Sequence, residues 1–93
     1  MTLAEARAAL ESLTSETKFW MLTIGAPGLR RAAEEIAPNR VRLGGFELDL
    51  GECRWALQLQ NGFGNAARAT GRFVRTPDGW DAVLDVWQEA EHR

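Results

Sequence analysis

This chain has very little with which to do covalent chemistry. Its 93 residues include one cysteine (Cys53), one histidine (His92), two serines and no tyrosine. A single cysteine excludes an internal disulfide framework and agrees with a reducing compartment. One cysteine and one histidine fall short of the three or four ligands of a zinc site. Cys53 falls on the apolar side of a strand-patterned stretch, where a thiol packs as a small hydrophobe. Ser12 and Ser15 have no neighbouring base, so no nucleophile is activated. We therefore expect no catalytic residue, no metal and no cofactor. Long apolar runs are also missing. The longest, Phe19 to Ile24, is far short of the roughly 20 residues that cross a bilayer. The opening Met-Thr-Leu-Ala-Glu-Ala-Arg carries an acid where a secretory leader is positive and then apolar, so we expect a cytoplasmic protein with no membrane partner. Lysine is nearly absent as well. Ten of the eleven basic residues are arginine, the bias of a GC-rich bacterial coding sequence and one that also suits interfaces.

What is present is the pattern of a folded domain. The 45% apolar and 26% charged fractions exclude wholesale disorder, and 93 residues suffice for one core but not two. Cys53-Arg54-Trp55-Ala56-Leu57-Gln58-Leu59-Gln60 alternates apolar and mostly polar positions, the mark of a half-buried strand. Phe46, Leu48 and Leu50 alternate with Glu47 and Asp49 in the same way, and Gly51-Glu52 between the runs predicts an antiparallel hairpin.

Around that pair, residues 3–13 read as an amphipathic helix with Leu3, Ala6, Leu10 and Leu13 on one stripe. The run from Lys18 to Ile24 reads as a buried strand, or else as a helix continuing from Ser15. Pro27 opens a predicted helix over 27–37, closed by Pro38-Asn39. Val41 and Leu43 begin a strand that Gly44-Gly45 bends before Phe46–Leu50. A glycine-rich hairpin loop at 61–65 leads into a strand over 66–75. Its small inner positions, Ala67, Ala69 and Gly71, predict a large residue lying across them, with Trp55 the candidate.

The last segment supports two readings. As a helix, Trp80, Val83, Leu84, Val86, Trp87 and Ala90 share one arc, with acids early and His92-Arg93 late to suit the helix dipole. As a strand after the turn Thr76-Pro77-Asp78-Gly79, it presents Trp80, Ala82, Leu84 and Val86 inward. The helix is preferred. The expectation is thus a single α+β domain over 1–93. It has a mostly antiparallel sheet of four to five strands, an N-terminal helix, a short middle helix and a C-terminal helix. The alternative closes on a final strand.

Two resemblances follow from these elements. Helix, three strands and helix from residue 27 onward resembles the element order of a double-stranded-RNA-binding domain. The basic cluster such domains carry at their last helix is replaced here by Asp78, Gly79 and Asp81, which sets negative charge where phosphate would lie. Separately, Ala69-Thr70-Gly71-Arg72-Phe73-Val74-Arg75 with Asp78-Gly79-Trp80 and Val83-Leu84-Asp85-Val86-Trp87 resembles the closing hairpin of cystatin-like and nuclear-transport-factor-like cone folds. That resemblance implies a curved sheet around a helix, often with a small-molecule pocket, and a C-terminal strand.

Charge and aromatics supply the site candidates. Residues 28–75 hold eight arginines against five acids, a net +3, while residues 76–93 hold one arginine against five acids, a net −4. Arg54, Arg68 and Arg72 fall on the polar face of neighbouring strands, where they suit a partner or a phosphate. Phe19 and Trp20 are adjacent, so in a strand they cannot both face one core, and Phe63 sits in a loop; all three are interface candidates. Gly62-x-Gly64-x-x-Ala67 matches a dinucleotide fingerprint, yet leaves no room for the helix that such a site requires. Glu47, Asp49 and Glu52 could offer hard oxygen ligands, but read first as the wet face of a strand. Glu47 or Asp85 would serve as acid–base groups only if buried. The leading expectation is a non-enzymatic protein–protein interaction module that self-associates, its partner a second copy or another protein. A small-ligand or enzymatic cone-like domain is the alternative, and a weak nucleic-acid binder the third reading.

Overall fold

The computed structural model describes residues 1–17, 19–60 and 66–90, with the backbone alone for Ala90. Helix α1 (Leu3–Glu16) is followed by a short helix α2 (Trp20–Gly25) and a single 3₁₀ turn at Ala26–Arg30. Six strands follow: β1 (Glu34–Ala37), β2 (Arg40–Leu43), β3 (Phe46–Asp49), β4 (Arg54–Gln60), β5 (Ala66–Thr76) and β6 (Gly79–Ala90). They form one antiparallel sheet in the order β1-β2-β3-β4-β5-β6, each strand pairing with its neighbour in sequence. This is an α+β domain with both helices on one face of a meander.

Alternation decides which face the helices cover. Trp55 and Leu57 on β4, Ala67, Ala69, Gly71 and Phe73 on β5, and Phe46 and Leu48 on β3 are buried on one side of the pleat. Ala6, Ala9 and Leu10 of α1 and Met21 and Leu22 of α2 close over them. Full burial of a leucine or phenylalanine contributes about 1.5–3 kcal/mol, so this layer holds the fold together. Thr2 starts α1 in a capping box: its hydroxyl accepts from the Glu5 N–H at 3.1 Å while Glu5 accepts from the Thr2 N–H at 2.8 Å. The anticipated fit of Trp55 against small residues is found. Trp55 pairs directly with Gly71, and a Cβ on Gly71 would lie 2.5 Å from the indole and would also strike the Val83 carbonyl oxygen.

Several elements differ from the sequence reading. Residues 27–37 do not make one helix. Only one 3₁₀ turn forms, and the chain then extends because Glu34–Ala37 finds ladder partners in Arg40–Arg42 across the Pro38-Asn39 turn, where Asn39 takes φ +62°. Gly44-Gly45 do not bend a continuous strand but make the two-residue turn between β2 and β3, with Leu43 opposite Phe46. Gly44 has φ +57°, and a Cβ there would lie 2.6 Å from the Gly28 Cα, so only glycine suits the site. Trp20–Gly25 is a short helix of its own, neither a buried strand nor a continuation of the helix through Ser15, which ends at Glu16; Phe19 just before it is extended. Cys53 belongs to the Leu50–Cys53 turn with φ +56°, not to the strand it precedes.

The C-terminal segment is strand β6, not a helix, and the sheet accordingly has six strands rather than four or five. The helical pattern misled because the strand changes parity. Thr70 pairs with Val86 while Gly71 pairs with Leu84, which leaves Asp85 as the extra residue of a bulge. Before the bulge Trp80, Ala82 and Leu84 lie on the helix-covered side; after it Trp87, opposite Ala69, takes that side and Val86 does not. Loss of both expected flanking helices also removes the element order on which the RNA-binding resemblance rested. The anticipated hairpin loop at 61–65, with Phe63, lies outside the described residues. The segment after Gly62-x-Gly64 continues from Ala66 as strand β5.

Candidate interaction surfaces

The candidate residues fall into two groups on opposite faces of the sheet. On the helix-covered face, Gly25 of α2 sits so close to β4 that a Cβ there would come within 2.9 Å of Leu57. That contact turns Met21 and Leu22 inward and leaves Trp20 and Ile24, four apart on the helix, facing out. The Asp85 bulge brings Trp87 to the same place. Phe19 stacks on Trp87 with centroids 5.4 Å apart and planes at 29°, and Trp20 meets Trp87 edge-on at 5.9 Å and 84°. Such pairings add about 0.5–1.5 kcal/mol beyond area burial. Even so, Phe19 is 50% exposed, Trp20 51% and Ile24 61%. The sequence pattern pointed to Phe19 and Trp20 but not to Ile24, and read alone it did not show that Trp87, which packs against the core, would also carry the two outer rings. The available signal was the break in the period-2 pattern at Asp85.

On the open face, the ladder fixes a grid of side chains. One row across the sheet reads Arg40, Asp49, Arg54, Arg72 and Val83; the next reads Arg42, Glu47, Ala56, Thr70 and Val86; a third holds Gln58, Arg68 and Gln88. Arg54, Arg68 and Arg72 are therefore together, as anticipated. Arg40 bonds Glu47 at 2.9 Å and Arg72 bonds Asp85 at 3.1 Å. These pairs are partly exposed and contribute about 0–1 kcal/mol each. Arg54 and Arg68 form no ion pair among the described residues. The rows surround a hollow of about 570 Å³ whose lining includes Arg54, Ala56, Arg68, Thr70 and Arg72.

Three of the four carboxylates weighed as ligands or acid–base groups are otherwise engaged, and the fourth, Glu52, is exposed on the turn before β4. Asp49 caps its turn, accepting from the Gly51 N–H at 3.1 Å and the Glu52 N–H at 2.9 Å. Glu47 and Asp85 are 37% and 39% exposed in their ion pairs, not buried. Among the described residues no three metal-ligating side chains gather, and none of the helices is long and apolar enough to cross a membrane. Among the described residues, Glu5 is the carboxyl held below its ordinary range. The Thr2 backbone N–H is the chief cause, helped by the Thr2 hydroxyl and the Trp80 indole against an opposing desolvation.

Comparison with known proteins gives no match to any family model, curated protein or solved structure.

Proposed function

We propose that this domain is a protein–protein interaction module that self-associates through the surface formed by Phe19, Trp20, Ile24 and Trp87. The observation that carries this reading is the half-exposed aromatic pair Phe19 and Trp20, packed against Trp87 rather than folded into the core. Rigid aromatics lose little conformational entropy on binding and are enriched at interface centres. A chain of this size also buries only part of its surface by folding, so a second apolar contact adds stability. The +3 middle and −4 end of the chain add less than their totals suggest, because Arg72 and Asp85 already neutralise one another within the chain. Ion pairs between copies would set orientation, and the aromatics would supply most of the energy. Sedimentation equilibrium tests the reading. We expect a dimer at micromolar concentration that moderate salt weakens only slightly, and a monomer persisting at hundreds of micromolar would overturn it.

A further inference from the structure

We propose that the open face of the sheet holds a second, independent site that binds one phosphate-type oxyanion in the hollow between β4 and β5. Its floor is made of the two smallest side chains of the middle row, Ala56 and Thr70, which pair directly across the strands. Arg54 and Arg72 stand on one side of that floor and Arg68 on the other, each two residues along its strand. All five residues line the same hollow of about 570 Å³, whose rim is completed by Arg40 and by the carboxylates Glu47, Asp49 and Asp85, so four arginines face three acids there.

Charge gives the ligand its sign. Arg54 and Arg72 are direct cross-strand partners, an arrangement of like charges that costs stability in a sheet. Asp85 bonds Arg72, and Asp49, opposite Arg54 on its other side, forms no ion pair with it but accepts from the Gly51 and Glu52 N–H groups of its own turn. An anion over the floor offsets the repulsion and gives Arg54 and Arg68 the acceptor that no described carboxylate supplies.

Acids around the patch give the ligand its size. Glu47 and Asp49 on β3 and Asp85 on β6 form the two edges of the hollow itself, so across the sheet the stretch between carboxylates is only two strands wide. A polynucleotide crossing it in that direction meets carboxylates on both sides. Donors from two sides, with the Thr70 hydroxyl rising from the floor, suit a tetrahedral phosphate better than a planar carboxylate.

Calorimetric titration of the full chain with inorganic phosphate, pyrophosphate, a small dicarboxylate and a single-stranded oligonucleotide tests this. Phosphate or pyrophosphate should bind best. Arg54→Gln and Arg68→Gln, both at exposed positions, should each weaken binding roughly tenfold, the loss of charge-assisted hydrogen bonds from one guanidinium. Trp20→Ala should leave the affinity unchanged, which separates this site from the aromatic surface. No heat with phosphate or pyrophosphate up to tens of millimolar, tighter binding of the dicarboxylate or oligonucleotide, or unchanged affinity in both arginine variants would each overturn it.

Discussion

The indole N–H of Trp80 donates to Glu5 Oε2 at 3.0 Å, joining the first turn of α1 to the start of β6 across 75 positions of sequence. Glu5 meanwhile completes the capping box with Thr2. One carboxylate thus both starts a helix and pins it to the last strand.

That double role makes stability depend on acid. Glu5 titrates below its ordinary value of 4.5 in the folded chain because its charged form accepts from Thr2 and Trp80. A depressed carboxyl contributes stability that is fully present above the unfolded value and is lost as pH falls through the folded one. We expect the urea midpoint of the native protein to exceed that of Glu5→Gln at pH 7. The difference should shrink as pH drops below about 4.5. A difference that stays constant down to pH 3 would contradict the role of the charge.

On the aromatic surface, Trp20→Ala should weaken self-association by roughly 2 kcal/mol or more, read by sedimentation equilibrium. Phe19→Ala should act in the same direction, since its ring stacks on the same Trp87. Each substitution should also cost the monomer about 0.5–1.5 kcal/mol through the lost ring contact with Trp87, so association is compared under conditions where the variants stay folded. A large loss of monomer stability with unchanged association would reassign the pair to the core.

Gly71→Ala should destabilise the domain by about 3 kcal/mol, at the upper end of overpacking costs. The new methyl would meet Trp55 and the Val83 carbonyl together. Combining it with Trp55→Leu should recover only part of the loss, because the Val83 backbone cannot withdraw. Urea denaturation of the two variants measures both effects.

For nucleic acid we expect no binding tighter than about 10 μM at physiological salt, with steep weakening as salt rises. Acids on β3 and β6 border the arginines, and both edge strands carry acids: Glu34 and Glu35 on β1, Asp81 and Glu89 on β6. Fluorescence anisotropy with a labelled oligonucleotide gives the answer, and nanomolar affinity would refute the expectation.

The strands most visible in the sequence were those whose pattern is purely local. In β3 and β4, apolar and polar positions alternate with Ala56 the one exception, and β5 showed its neighbour through the small residues facing Trp55. Where the outcome depends on distant partners, the sequence was mute. Glu34–Ala37 has helix-compatible residues and becomes a strand because Arg40–Arg42 lies within reach of its ladder. In β6 an inserted residue at Asp85 broke the period of two, and the remaining hydrophobic spacing imitates a helix. The arginine cluster was legible because β4 and β5 were both read in the right phase. The aromatic surface was only half legible, since Trp87 joins it through the bulge.

The contrast between Trp55 and Trp20 has an optical consequence. With no tyrosine in the chain, emission excited near 280 nm comes almost wholly from the four indoles. Trp55 is 2% exposed and its Nε1 has no hydrogen-bond partner among the described residues, so it emits at short wavelength and is shielded from iodide. Trp20, half in water, emits to the red and is open to the same quencher. Covering Trp20 with a second copy would move the spectrum toward blue and reduce quenching while Trp55 stays as it was. Dilution in a fluorimeter therefore reports assembly separately from unfolding, with no label added.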